Sequence, residues 1–318
     1  MLVELPQNFP KNLPRSHYVL LALSLAVAIA LRFWHLGTKP LWLDEVIGAL
    51  FSLGRGLDAV PLTTVFPVTQ LADIFAFQPG QSCAQITHAV ATESVHPPLF
   101  FCLQYRWLAV WLPLLSTGMG EAGTHILASP HWIWVLRSLP ALFGIGCVAG
   151  VYGLARLMVS PATGLIAAAL MAVSPFAVYL SQEARHYTLP MLWTILALIG
   201  LGLMQRRIVS DRPLPWWLLF GWSLINSLGL YTHYFFLLDF TAQGMALGAW
   251  LGWRRLGAGG ANTPKRFRQY VSQLSLGITI SMVSYLPWLP TLLQHINRPE
   301  TDWLKPYKPD WSDRLAPL

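Results

Sequence analysis

Two neighbouring carboxylates, Asp44 and Glu45, stand just beyond the first hydrophobic stretch, in the run Leu41-Trp42-Leu43-Asp44-Glu45. Desolvating two adjacent negative charges at an apolar boundary costs free energy, so ionisable residues kept there carry function by default. Carboxylates in such a place abstract protons or bind cations. The plainer alternative is a solvated loop start that orients the chain. Side chains on successive residues point in different directions, and mutual repulsion raises the proton affinity of one of the two. The two are therefore expected to take different roles, one as the base and the other as a helper that positions an acceptor or binds a cation. Asp44 is the residue bet on as the base, with Glu45 as the helper.

Three further polar clusters accompany the pair: His96-Pro97-Pro98-Leu99, Ser181-Gln182-Glu183-Ala184-Arg185-His186-Tyr187, and Tyr231-Thr232-His233-Tyr234. Each has a structural reading. His96 suits a helix start, Glu183 and Arg185 a local ion pair, and His233 an interfacial aromatic belt. Together they supply other chemistry. Arg185 offers a planar fork of donors that neutralises a departing phosphate, with His96 or His186 beside it. Gln182, Glu183, Tyr187 and His233 complete the expected substrate-binding set. Glu45 and His96 are candidates for holding a divalent metal, although their spacing is not diagnostic. There is no Gly-rich phosphate loop, no serine nucleophile elbow and no His-Glu-x-x-His run.

The elements that must position these residues are membrane spans. Of 318 residues, 54% are hydrophobic and only 11% charged, with a mean hydropathy of +0.48. Soluble domains carry roughly a quarter charged residues. The composition predicts an all-α polytopic membrane protein in contact with membrane lipids. The net charge of +7 arises in loops between spans, where it sets topology and does not point to nucleic acid. Fifteen tryptophans and ten tyrosines suit interfacial belts. The three cysteines form no metal spacing, but Cys83 and Cys102 can pair if both face an oxidising side. The first span ends in Arg32-Phe33-Trp34-His35 without a small-residue cleavage site, and reads as an uncleaved anchor.

Hydrophobic stretches near the required length fall at about 18–34, 97–115, 133–158, 162–180, 187–204, 214–232, 234–252 and 271–293. Lys11 and Arg15 place segment 1–17 in the cytoplasm. The basic loops around Arg206, Arg207 and Arg212, and around Arg254, Arg255, Lys265, Arg266 and Arg268, belong there too. Counting back from Arg206 puts the start of span 133–158 outside, on the side of Asp44. Segment 97–115 then cannot cross once. It is expected to lie along the interface or re-enter, as Pro97-Pro98, Gln104, Arg106 and Pro113 allow. About seven crossings remain within 18–293. The external face carries a first loop of about 36–131, the 181–186 and 231–234 turns, and a tail over 294–318.

The ordered motifs resemble a known family. Trp42-Leu43-Asp44-Glu45, His96-Pro97-Pro98-Leu99, Arg137-Ser138-Leu139-Pro140-Ala141-Leu142-Phe143-Gly144 and Ser181-Gln182-Glu183-Ala184-Arg185-His186-Tyr187 are similar to the signature of family 39-type glycosyltransferases. These belong to the GT-C superfamily, with the protein O-mannosyltransferases and the lipid A aminoarabinose transferase. The resemblance covers about residues 18–250. It implies a GT-C core with about seven spans, and a first external loop bearing juxtamembrane helices. It also implies a polyprenyl-phosphate sugar donor, a lipid, glycan or protein acceptor, and inverting transfer. The active site would lie on the non-cytoplasmic face of a multi-pass protein in a bacterial inner or plasma membrane. The catalytic acid would stand at the first of the paired carboxylates, Asp44. Family members usually continue with more spans and often a soluble outer domain, so the resemblance fits a minimal member or a piece of a longer chain. Two other classes stay open: a transporter or flippase of a lipid-linked sugar, and a non-catalytic membrane subunit. Transporters usually set charges at the midplane, whereas here only Asp239 is clearly inside a span.

Overall fold

A computed structural model describes residues 13–61, 63–67, 70, 73–115, 130–256 and 263–299. The regular elements among them are helices: α1 (Arg15–Phe33), α2 (Leu43–Ser52), α3 (Cys83–Glu93), α4 (Leu99–Leu115), α5 (Pro130–Met158), α6 (Pro161–Val173), α7 (Pro175–Ser181), α8 (Thr188–Val209), α9 (Trp216–Leu230), α10 (Phe236–Leu256), α11 (Pro264–Tyr285) and α12 (Leu289–Ile296). Four stretches are long and apolar enough to cross a membrane: Arg15–Phe33, His131–Met158, Thr188–Val209 and Pro264–Ile296. A fifth is the pair α6 and α7, bent by 63° at Ser174. The chain is thus a helical membrane protein with four such spans, or five with the bent pair.

The other two expected crossings are also helices. With 15 residues, α9 reaches about 22 Å at ~1.5 Å per residue, short of a ~30 Å hydrocarbon core. α10 carries Asp239 and Gln243 in its N-terminal half. Both helices hold polar groups that bond inside the bundle. Trp222 Nε1 donates to Gln243 Oε1 at 3.1 Å, and Gln243 Nε2 donates to Asn226 Oδ1 at 3.2 Å and Asp239 Oδ2 at 2.8 Å. The same side chains that lower hydropathy tie the helices together, as polar residues do where no water competes.

Small residues set the closest helix contacts. Gly164, Ala168 and Ala172 recur every four residues along α6 and are buried. A Cβ on Gly164 would stand 2.8 Å from the Tyr152 carbonyl of α5, so only glycine permits this approach. The outward faces are apolar: Tyr18, Leu20 and Leu23 on α1, and Ile166 and Leu170 on α6, are exposed. Such faces suit lipid and would be costly in water.

The bend at Ser174 has an identifiable cause. Pro175 has no N–H to return to the Met171 carbonyl, and the turn of the chain frees the Ala172 carbonyl as well. Arg32 of α1, fully buried, supplies the missing donors: Nη2 to Met171 O at 3.1 Å, Nη1 to Ala172 O at 3.0 Å and Nε to Ser181 Oγ at 3.2 Å.

The expected first loop is a packed helical lobe. Leu50, Phe51 and Leu53 of α2 and its C-terminal edge meet Ile86 and Val90 of α3, Phe100, Phe101, Tyr105 and Leu108 of α4, and Val135 and Leu136 of α5. Cys83 and Cys102 form a disulfide between α3 and α4. Segment 97–115, expected along the interface or re-entrant, contributes the 17-residue helix α4. Its buried side carries Phe100, Phe101 and Leu108, and Arg106 faces out. Segment 116–129 of the expected loop, residues 1–12 and most of the expected tail (300–318) lie outside the described residues.

Candidate functional site

The paired carboxylates divide their work. Glu45 sits in the first turn of α2, where the helix N-terminus favours negative charge. It is fully buried. Its Oε1 accepts from Arg137 Nε at 2.8 Å and Ala184 N at 2.7 Å. Its Oε2 accepts from Arg137 Nη2 at 2.7 Å and Trp42 N at 3.2 Å. Arg137 spends its remaining donors on the carbonyls of Leu36, Lys39 and Pro40, at 3.0, 3.0 and 3.1 Å. Three sequence motifs are thereby knotted together. In the folded chain both oxygens of Glu45 are engaged, each by two donors.

Asp44 points away, as adjacency requires. Its side chain is 39% exposed, and Oδ2 lies 3.8 Å from Arg185 Nη2. The Asp44 carbonyl accepts from Arg185 Nη1 at 3.1 Å. Arg185 is buried and lies over the Tyr187 ring, 5.7 Å from its centroid, while its Nε has no hydrogen-bond partner.

Gln182 and Glu183 turn into the frame. Gln182 Nε2 donates to the carbonyls of Leu31 and Trp34, both at 3.0 Å, and so caps the end of α1. Glu183 accepts from the Trp42 indole N–H. Burial first, then the charge of Glu45, raises the Glu183 pKa above its ordinary value. The expected Glu183–Arg185 ion pair gives way to Arg185 with Asp44 and Glu183 with Trp42.

The histidines converge. His96 precedes α4, His186 lies between α7 and α8, and His233 lies between α9 and α10. The His186 ring centroid is 4.8 Å from that of His96 and 4.8 Å from that of His233, and the outer two are 6.0 Å apart. One ring nitrogen of each lies within 4.8 Å of the other two. The proline pair after His96 ends with Leu99 N donating to Tyr231 O at 3.0 Å, which pins the first cluster to the third. Burial is the largest cause depressing all three imidazoles. Arg185 adds to it at each, and the histidines add to one another at His186 and His96. His96 falls to about 3 and His233 to about 4, and His186 lies well below its ordinary value. Burial thus favours the neutral form of all three rings.

Beside this cluster a cavity of about 670 Å³ opens between helices α5 to α8 and α10. His186, Tyr187 and His233 line it together with apolar side chains such as Phe176, Leu180, Met191 and Phe236, and with Asp239. Of the residues named from sequence, the structure gathers Asp44, His96, Arg185, His186, Tyr187 and His233, while Glu45, Gln182 and Glu183 hydrogen-bond to neighbouring segments, and Gln182 and Glu183 line a separate cavity. Arg137 and Arg32 had no assigned role. Their signal was an arginine inside an apolar stretch, which demands a partner.

No protein-family model, curated protein or solved structure matches the chain in comparison with known proteins.

Proposed function

We propose that the chain is a membrane glycosyltransferase of the GT-C type. It transfers a sugar from a polyprenyl-phosphate donor to a hydroxyl of a lipid, glycan or protein acceptor on the non-cytoplasmic face, with inversion. The observation that carries this reading is the apolar cavity that ends at His186, His233 and Tyr187, beside Arg185 and the exposed Asp44. An isoprenoid chain fits the apolar wall, and its phosphate fits Arg185, whose buried Nε has no hydrogen-bond partner. The Cys83–Cys102 disulfide supports an oxidising, non-cytoplasmic side for the lobe that holds Asp44. The seven crossings of this reading include α9 and α10, held by their internal polar bonds.

In the reaction, Asp44 takes the proton of the acceptor hydroxyl as its oxygen bonds to the anomeric carbon. The bond from that carbon to the donor phosphate oxygen breaks, and the phosphate leaves with the electron pair. Arg185 offsets the charge that develops there, in surroundings where water is thin. A single displacement leaves the sugar inverted. Glu45 and Arg137 act as positioning residues that fix α2 against the Glu183-Ala184-Arg185 segment.

One observation favours a second reading. Asp239 lies within α10 and lines the cavity, as coupling residues of transporters do. Purified protein supplied with labelled polyprenyl-phosphate sugars and acceptor lipids or peptides separates the two. Label on the acceptor, lost with Asp44→Asn, is the expected result. Movement of the labelled lipid across reconstituted vesicles without transfer would instead establish the transporter.

A further inference from the structure

We propose that His96, His186 and His233 form a site for a divalent transition metal of the zinc class, with one coordination position left open to an oxygen ligand. Three imidazoles are a donor set that zinc and its neighbours prefer, and three protein ligands with an open position make a reactive zinc site. The spacing suits this. Nitrogens that lie within 4.8 Å of one another surround a point no more than about 2.8 Å from each, and closure by under ~1 Å per ring reaches the ~2.0–2.1 Å zinc–nitrogen distance. The rings come from three separate loops and make no hydrogen bond to one another. His186 Nε2 is buried and unpartnered, in a residue only 1% exposed. An orphaned buried nitrogen at the centre of such a cluster calls for a ligand.

The outer partners rank the three ligands. His96 Nδ1 lies 3.3 Å from Ser94 Oγ. With the proton on Nδ1, that contact leaves Nε2 as the free donor atom, the arrangement that fixes metal-bound imidazoles elsewhere. His233 Nδ1 accepts from Phe235 N at 3.0 Å, so the ring proton of His233 sits on Nε2. Metal binding must release that proton or that bond, which makes His233 the weakest of the three. Arg185 stands close enough to act on all three rings, with Asp44 at 3.8 Å as its partial counter-charge. A dication held by neutral ligands beside a guanidinium is completed by an anion, and a phosphate oxygen fills the open position. This last clause rests on the glycosyl-transfer reading; the metal site does not.

The test uses the full chain in detergent, stripped with a chelator and titrated with Co²⁺, then back-titrated with Zn²⁺. The expected result is one metal per chain, with the visible absorption of a four- or five-coordinate nitrogen site. His96→Gln and His186→Gln weaken binding at least tenfold, and His233→Gln weakens it less. Ser94→Ala, which leaves every ligand in place and is mild for folding, weakens it by about tenfold. Inorganic phosphate shifts the cobalt spectrum, and polyprenyl phosphate shifts it at lower concentration if the lipid is the natural source. Wild-type metal affinity in both His96→Gln and Ser94→Ala, or no stoichiometric metal in the wild type, overturns the proposal. So does phosphate binding to the stripped protein as tightly as to the metal-loaded protein, which would make the histidines a direct anion site. Failure of metal binding leaves sugar transfer to be judged by its own assay, and failure of transfer with the metal bound leaves the site standing.

Discussion

The Glu45–Arg137 knot and the Asp44–Arg185–histidine face are built from the same residue types and differ in how far their polar groups are satisfied. In the knot, both carboxylate oxygens and every guanidinium nitrogen have partners, all within 3.2 Å. On the open face, Arg185 Nε and His186 Nε2 have none, and the nearest Asp44–Arg185 side-chain contact is 3.8 Å. Buried polar groups are nearly always paired, and an unpaired one costs about 1–3 kcal/mol. A saturated pair holds a fold, whereas an unsatisfied cluster is kept for something that arrives later. Adjacent acids thus differ in state: Glu45 is fastened on both oxygens, and Asp44 is partly exposed.

The largest effect that would break this contrast is expected in the knot. Glu45→Ala or Arg137→Ala leaves a buried partner uncompensated and destabilises by about 3–5 kcal/mol. Detergent-solubilised variants should show a much lower melting temperature and poor yield in size-exclusion chromatography. Well-folded Glu45→Ala protein that had merely lost transfer would return Glu45 to the chemistry. On the open face, Asp44→Asn should keep the melting temperature and lose about 10²–10⁴-fold in transfer rate, the usual contribution of a positioned base. Near wild-type transfer in that variant would remove Asp44 from the reaction.

Smaller changes sharpen the comparison. A Cβ on Gly144 would overlap the Ser181 side chain and stand 3.1 Å from Arg32 Nε. Gly144→Ala should therefore lower stability by about 1–3 kcal/mol through overpacking. Adding Ser181→Gly should recover part of the loss in melting temperature, and no recovery would place the strain elsewhere. The smallest effect is expected from Arg185→Lys, which keeps the charge and loses the fork. Transfer should fall by about tenfold, close to 1.4 kcal/mol, with little change in stability. Unchanged donor affinity and turnover would make Arg185 a structural partner of Asp44.

Much of the frame was legible along the chain. Long, mainly apolar runs marked α1, α5, α8 and α11, because a lipid-facing helix must satisfy its own backbone polar groups and present apolar side chains. The bend between α6 and α7 was missed, since 162–180 was read as one span; its signal is Pro175, whose missing N–H breaks the ladder. The stretches over 214–232 and 234–252 were counted as crossings from their hydropathy, and they form helices α9 and α10. Their Asn226, Asp239 and Gln243 look unfavourable for a span until their partners across the bundle are seen. Arg137 was visible as an arginine beside an apolar run, but its carboxylate partner lies 92 residues away. No local pattern links the two.

The sequence by itself determined that this is a helical membrane chain, that Asp44 and Glu45 would diverge, and that the polar clusters at 96, 181–187 and 233 stand near span ends. Those properties follow from composition and from the geometry of adjacent residues, which are local. Only the tertiary structure decided which acid is fastened and which is open, that Gln182 and Glu183 belong to the frame, and that three histidines from three loops meet around one point. Those outcomes depend on how distant helices pack. A side chain's partner, and with it its charge state and freedom to react, is set by neighbours that the chain brings together only on folding.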